Sequence, residues 1–142
     1  MERIASFTVD HNKLLPGMYL SRMDGDIATY DLRFVKPNTP PFLEIPAVHT
    51  IEHLFATFVR NSTLKDGVIY FGPMGCRTGF YLLTLRLPYD EVLALLRECI
   101  PAALALEEIP GAKREECGNY LEHDLPAAKK ELAAYLAVLE AL

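Results

Sequence analysis

At 142 residues the chain is long enough for one domain with a real core and too short for two of ordinary size. It is 51% apolar and 23% charged, a globular balance that sets aside disordered and fibrous classes. A formal net charge of −5 argues against a nucleic-acid partner, since no basic excess offsets phosphate.

The opening MERIASFTVDHN lacks the apolar stretch of a signal peptide, and no apolar run approaches the roughly 20 residues of a membrane span. The expectation is a cytoplasmic protein with no membrane partner. Residues 18–22 and 28–36 (ATYDLRFVK) alternate apolar and polar side chains, which predicts two half-buried strands joined by a turn at MDGD. The prolines of KPNTPPFLEIP then exclude a helix or a central strand. Residues 47–61 have helical periodicity, and Pro46 suits the start of that helix. VIYFGP and FYLLTLRL have strand character, and the glycines of MGCRTG between them mark a tight turn. Residues 89–107 predict a long helix bent at Pro101, and AAKKELAAYLAVLE predicts another near Pro126 with Asp124 as cap. KREE and KKE mix signs and read as solvated faces. With no βαβα rhythm, the expected class is α+β: an antiparallel sheet packed against a few helices, one two-layer domain over residues 1–142.

The chemistry centres on AVHTIEHLFATFVRN, residues 47–61. With His49 at zero, about 100° per residue puts His53 near +40° and Glu52 near −60°, on one face. Ile51, Leu54, Phe55 and Phe58 fall between roughly 140° and 240°, so the core claims the opposite side. Histidines turned away from their own core belong either to a solvated face or to a site roofed by another part of the protein. An i, i+4 His pair can converge on one divalent metal, and the adjacent Glu52 supplies an acid/base, as in the H-x-x-E-H pattern of inverzincin peptidases.

Three cysteines are an odd count where disulfides are rare. Cys117, in EECGNYLEHD between helices, is a candidate third ligand that leaves a coordination position open; His123 competes for that role. Cys99, within a helix rich in Leu and Ala, reads as a small buried hydrophobe. Cys76, in GPMGCRTG, sits where the backbone can approach a ligand closely, with Arg77 beside it to favour the thiolate. A metal with two independent acid/base groups suits moving protons between neighbouring carbons of a carbonyl substrate better than hydrolysis.

SFTVDHN, DLRF, HTIEHLFATFVRN, PMGCRTGFYL and ECGNYLEHDL, in this order and spacing, resemble S-ribosylhomocysteine lyase, the LuxS family that makes the autoinducer-2 precursor. The resemblance implies His49, His53 and Cys117 as metal ligands, with Glu52 and Cys76 as the acid/base pair. It implies Ser6, His11 and Arg33 as sugar-pocket residues supplied across a homodimer interface, and Arg60 near the homocysteine end. It further implies Fe²⁺ as the native metal, replaceable by Zn²⁺ or Co²⁺, with no nucleotide cofactor, and a place in signalling or methionine recycling. From the residues alone, Ser6 is a polar strand end, His11 a surface histidine, and Arg33 with Asp31 a solvated pair. Many members have an aspartate where this chain has Tyr70, in IYFG. Two rivals stand: an H-x-x-E-H metallopeptidase with a downstream carboxylate ligand, and a non-catalytic metal-binding module closed by His123 as fourth ligand.

Overall fold

The computed structural model describes residues 1–142. A four-residue helix, α1 (Ala5–Thr8), precedes a hairpin of β1 (Gly17–Asp24) and β2 (Ile27–Arg33). Gly25, at φ +60°, makes the turn between them, in the left-handed region that glycine enters without strain. After the irregular proline segment come α2 (Ile45–Arg60), a short 3₁₀ turn, and the hairpin β3 (Val68–Pro73) and β4 (Gly79–Leu85). Two helices close the chain, α3 (Tyr89–Leu104) and α4 (Leu125–Glu140).

All three strand pairings are antiparallel, in the order β1-β2-β4-β3. The α+β expectation therefore holds, with β2 and β4 in the centre. The alternation of β2 sends Ala28, Tyr30 and Leu32 into the core, and Thr29, Asp31 and Arg33 to the opposite face. Helices α2, α3 and α4 pack on one another over the core face. The other face carries Tyr19 and Leu85 partly exposed, with no long helix upon it.

The apolar stripe of α2 behaves as the wheel predicts: Ile51, Leu54 and Phe55 are fully buried. Burying each such side chain is worth about 1.5–3 kcal/mol, which fixes the rotation of α2 and so the direction of its histidines. The helix starts two residues before the predicted 47, with Pro46 inside its first turn, where a missing N–H costs nothing. Helix α3 ends at Leu104 rather than 107, three residues past Pro101, whose missing N–H removes one bond of the ladder. Asp124 caps α4, its Oδ1 accepting the Ala127 N–H at 3.0 Å. Tyr135 locks α4 to the sheet: its ring stacks on Phe34 at 3.9 Å and its hydroxyl donates to the Gly17 carbonyl.

Candidate metal centre and thiol cavity

His49, Glu52 and His53 project from the half-buried side of α2. Their roof is the chain's own segment 105–124, which has no regular secondary structure. His49 Nδ1 donates to the Glu122 carbonyl and His53 Nδ1 to the Pro110 carbonyl, both at 2.8 Å. A carbonyl oxygen only accepts, so each ring carries its proton on Nδ1 and turns the Nε2 lone pair inward. Next to Pro110, Gly111 takes φ +68°, and a Cβ there would stand 3.5 Å from His53 Nδ1.

Cys117 Sγ lies 3.4 Å from His49 Nε2 and 3.8 Å from His53 Nε2. Tetrahedral ligands at ordinary metal–N and metal–S bond lengths are separated by about 3.5 Å, so this donor set fits a divalent ion. The outer carbonyl partners of both imidazoles fit as well, because such bonds orient ligating histidines. A fourth donor atom is near: the donors of His49, His53, Cys117 and His123 all lie within 4.8 Å of one another, with His123 Nε2 3.7 Å from Cys117 Sγ.

His123 differs from the other two histidines in orientation. Its ring stacks on His49 with centroids 3.9 Å apart and planes 21° apart, whereas His53 meets each of them nearly edge-on, at 81° and 83°. A ring nitrogen's lone pair lies in its ring plane. Two near-parallel planes do not meet beside the nitrogens, so His49 and His123 do not serve one ion together in this arrangement. The proton count agrees. Thr50 Oγ1, fully buried, accepts the Asp124 N–H at 2.9 Å and has its own proton left for His123 Nδ1, also at 2.9 Å. That leaves the His123 proton on Nε2. Burial, then His49 and His53, hold His123 below the ordinary histidine pKa, toward this neutral form.

Glu52 and His53 share a cavity of about 390 Å³ with Tyr70, Gly111 and Glu116. Glu52 forms no ion pair. The Tyr70 side chain lies over Gly72, where an added Cβ would fall 2.1 Å from its hydroxyl. Arg60 stands about 10 Å further along α2 than His53, by the helical rise, and donates to the Ile69 carbonyl. It does not line this cavity.

Cys76 lies elsewhere, on the turn between β3 and β4. Its cavity, about 310 Å³, is lined by Ser6, His11, Arg33 and Tyr81 of the same chain, and shares no lining residue with the first. His11 is held by a bond between its Nδ1 and the Val9 carbonyl, at 2.9 Å. Two local expectations are corrected here. Arg77 turns away from Cys76 to the Leu43 carbonyl, and the guanidinium facing the thiol is Arg33, its Nη1 3.9 Å from Sγ. Asp31 and Arg33 are not a solvated pair: they are 5% and 2% exposed and joined by two hydrogen bonds, at 3.1 and 2.6 Å. Strand alternation names the face they occupy but not the N-terminal residues that share its cavity. Burial, with Asp31 second, pushes the Tyr81 phenol up. Cys99 is buried as expected, and burial, aided by Glu98, raises its thiol to about 11.

The model of the family described as S-ribosylhomocysteinase (LuxS) matches residues 4–141. The chain belongs to that family. It is similar to the S-ribosylhomocysteine lyase of Clostridium acetobutylicum, 48% identical over 99% of this chain and 93% of the relative. The proteins of that name from Phocaeicola vulgatus and Borreliella afzelii are 48% and 44% identical. They cover 96% and 98% of this chain, and 89% and 93% of their own lengths. Thr50 and Thr78, which bond His123 and Cys76, carry no signal in the sequence that would have singled them out.

Proposed function

We propose that the chain, as a single metal-dependent lyase domain over residues 1–142, cleaves S-ribosylhomocysteine to homocysteine and 4,5-dihydroxy-2,3-pentanedione. The observation that carries this is the inward-facing His49/His53/Cys117 donor set in a chain matched nearly end to end by S-ribosylhomocysteine lyases. His49, His53 and Cys117 are the ligands in this reading, and the stacked, Nε2-protonated His123 leaves the fourth position open. The H-x-x-E-H peptidase reading calls for a carboxylate third ligand, and the cluster's remaining donors are a thiol and an imidazole. Fe²⁺ is the native ion, with Zn²⁺ or Co²⁺ as substitutes; the mixed N/S donors suit all three.

The substrate's chemistry sets the order of steps. The open-chain sugar has its aldehyde at C1, while the sulfur to be expelled is on C5. β-Elimination needs an acidic proton at C4, hence a ketone at C3, so the carbonyl moves from C1 to C2 and then to C3. When bound, the divalent metal supplies Lewis-acid stabilisation of the negative oxygen charge. Cys76, as thiolate, takes the C2 proton and returns it to C1, then takes the C3 proton and returns it to C2. Glu52 moves the hydroxyl protons and assists removal of the C4 proton as the C5–S bond breaks. Each positioned group contributes about 10²–10⁴-fold.

The substrate bridges two subunits of a homodimer in this reading. Glu52 and His53 line one cavity of a chain, while Cys76, Arg33, Ser6 and His11 line another. A two-fold pairing through the open sheet face, where Tyr19 and Leu85 are partly exposed, would set one chain's first cavity against its partner's second. Arg60 is retained near the homocysteine end on the resemblance alone. No helix is long and apolar enough to cross a membrane, and three free thiols suit the cytoplasm. Thiol release from S-ribosylhomocysteine, followed with a thiol reagent and abolished by a chelator, tests the whole reading. No thiol from metal-loaded protein refutes it.

A further inference from the structure

Cys76 is exposed, yet its sulfur touches a buried polar relay. The Asp31 carboxylate holds Arg33 by two hydrogen bonds, and Arg33 Nη1 donates to Thr78 Oγ1 at 2.8 Å. Thr78 Oγ1 stands 3.1 Å from Cys76 Sγ. A guanidinium has no acceptor, so the Arg33–Thr78 bond has one direction only. The Thr78 hydroxyl, 2% exposed, therefore keeps its single proton for its other partner, the sulfur. We infer that Thr78 is a positioning residue for Cys76, its hydroxyl donating to the sulfur and favouring the thiolate. The Arg33 guanidinium also points at the sulfur, but from 3.9 Å, so the shorter hydrogen bond is the threonine's. Hydrogen bonds to a charged acceptor are stronger than neutral ones, and they stabilise the ionised form. Asp31 acts one step back, because without it the guanidinium would be free to turn.

This rests on the reading of Cys76 as a thiolate acid/base, and the test separates the two. Metal-loaded protein is alkylated with iodoacetamide at neutral and at strongly alkaline pH, and Cys76 labelling is read by mass spectrometry of its peptide. The ratio of the two rates scores the thiolate population with no substrate present. Thr78→Val removes the hydroxyl and keeps the shape, and Thr78→Ser keeps the hydroxyl. The neutral-to-alkaline ratio falls about tenfold in Thr78→Val, as expected for losing one hydrogen bond to a charged group, and stays within about twofold of the parent in Thr78→Ser. Thr78→Ala gives the same fall and serves if the valine variant does not fold. An unchanged ratio in Thr78→Val or Thr78→Ala, or an equal fall in Thr78→Ser, overturns the inference. Turnover of Cys76→Ala decides the reading of Cys76 as acid/base independently of these rates.

Discussion

Mixing inactive Glu52→Gln subunits with inactive Cys76→Ala subunits restores activity if one site draws its halves from two chains. The two lesions fall in separate cavities of the chain, which share no lining residue. In a mixed dimer, one site pairs the intact Glu52 cavity of the Cys76→Ala chain with the intact Cys76 cavity of its partner. The other site carries both lesions. Equal pools reassorting at random give mixed dimers as half the population, with one site in two intact, so about a quarter of parent activity returns. His11→Ala mixed with Cys76→Ala is the contrasting case, because both residues line the same cavity of one chain. Every site then holds one damaged thiol half, and no activity returns. The assay is thiol release from S-ribosylhomocysteine after mass spectrometry has verified mixed dimers. Recovery in the His11/Cys76 mixture, or none in the Glu52/Cys76 mixture, refutes the division of the site.

Cys117→Ala loses bound metal by elemental analysis, whereas His123→Leu keeps it at one ion per chain; metal loss in the latter would make His123 a ligand. Cys76→Ala retains metal and loses turnover by at least about 10²-fold; full activity would remove the thiol from the chemistry. Asp124→Ala strips the α4 cap and costs about 1 kcal/mol, seen as a melting temperature lower by about 2–4 °C. The Cys99 thiol, raised from 9.0 to about 11, contributes stability that is full below its unfolded value and lost as pH rises through the folded one. Cys99→Val therefore flattens the alkaline fall of the denaturant midpoint relative to the parent, and an unchanged slope would contradict this.

The elements of the fold were legible wherever a period ran long enough. The stripe of Ile51, Leu54 and Phe55 gave both the helix and the side its histidines face. Helix ends were less legible, because α2 accepts Pro46 within its first turn and α3 stops soon after Pro101. At the metal centre the donor types could be read, since His49, His53 and Cys117 are rare residues in a telling order. The difference between His49 and His123 could not. It depends on ring planes and on which hydroxyl or carbonyl meets each Nδ1, contacts spanning about seventy positions of chain. The wheel calls for a roof over the histidines without naming it; residues 105–124 supply much of it, with no periodicity to announce them. Asp31 and Arg33 misled for a related reason: alternation reports a face, not what covers it.

The contact between Tyr70 and Gly72 constrains how this cavity can change. The ring occupies the volume that a side chain at 72 would need, so the two positions behave as one variable rather than two. Replacing Tyr70 by a smaller residue opens that wall and frees position 72 to vary. Replacing Gly72 first meets the phenol and must displace it. The order in which such substitutions accumulate therefore matters: a change at 70 meets no obstacle, while a side chain arriving first at 72 must move the phenol aside.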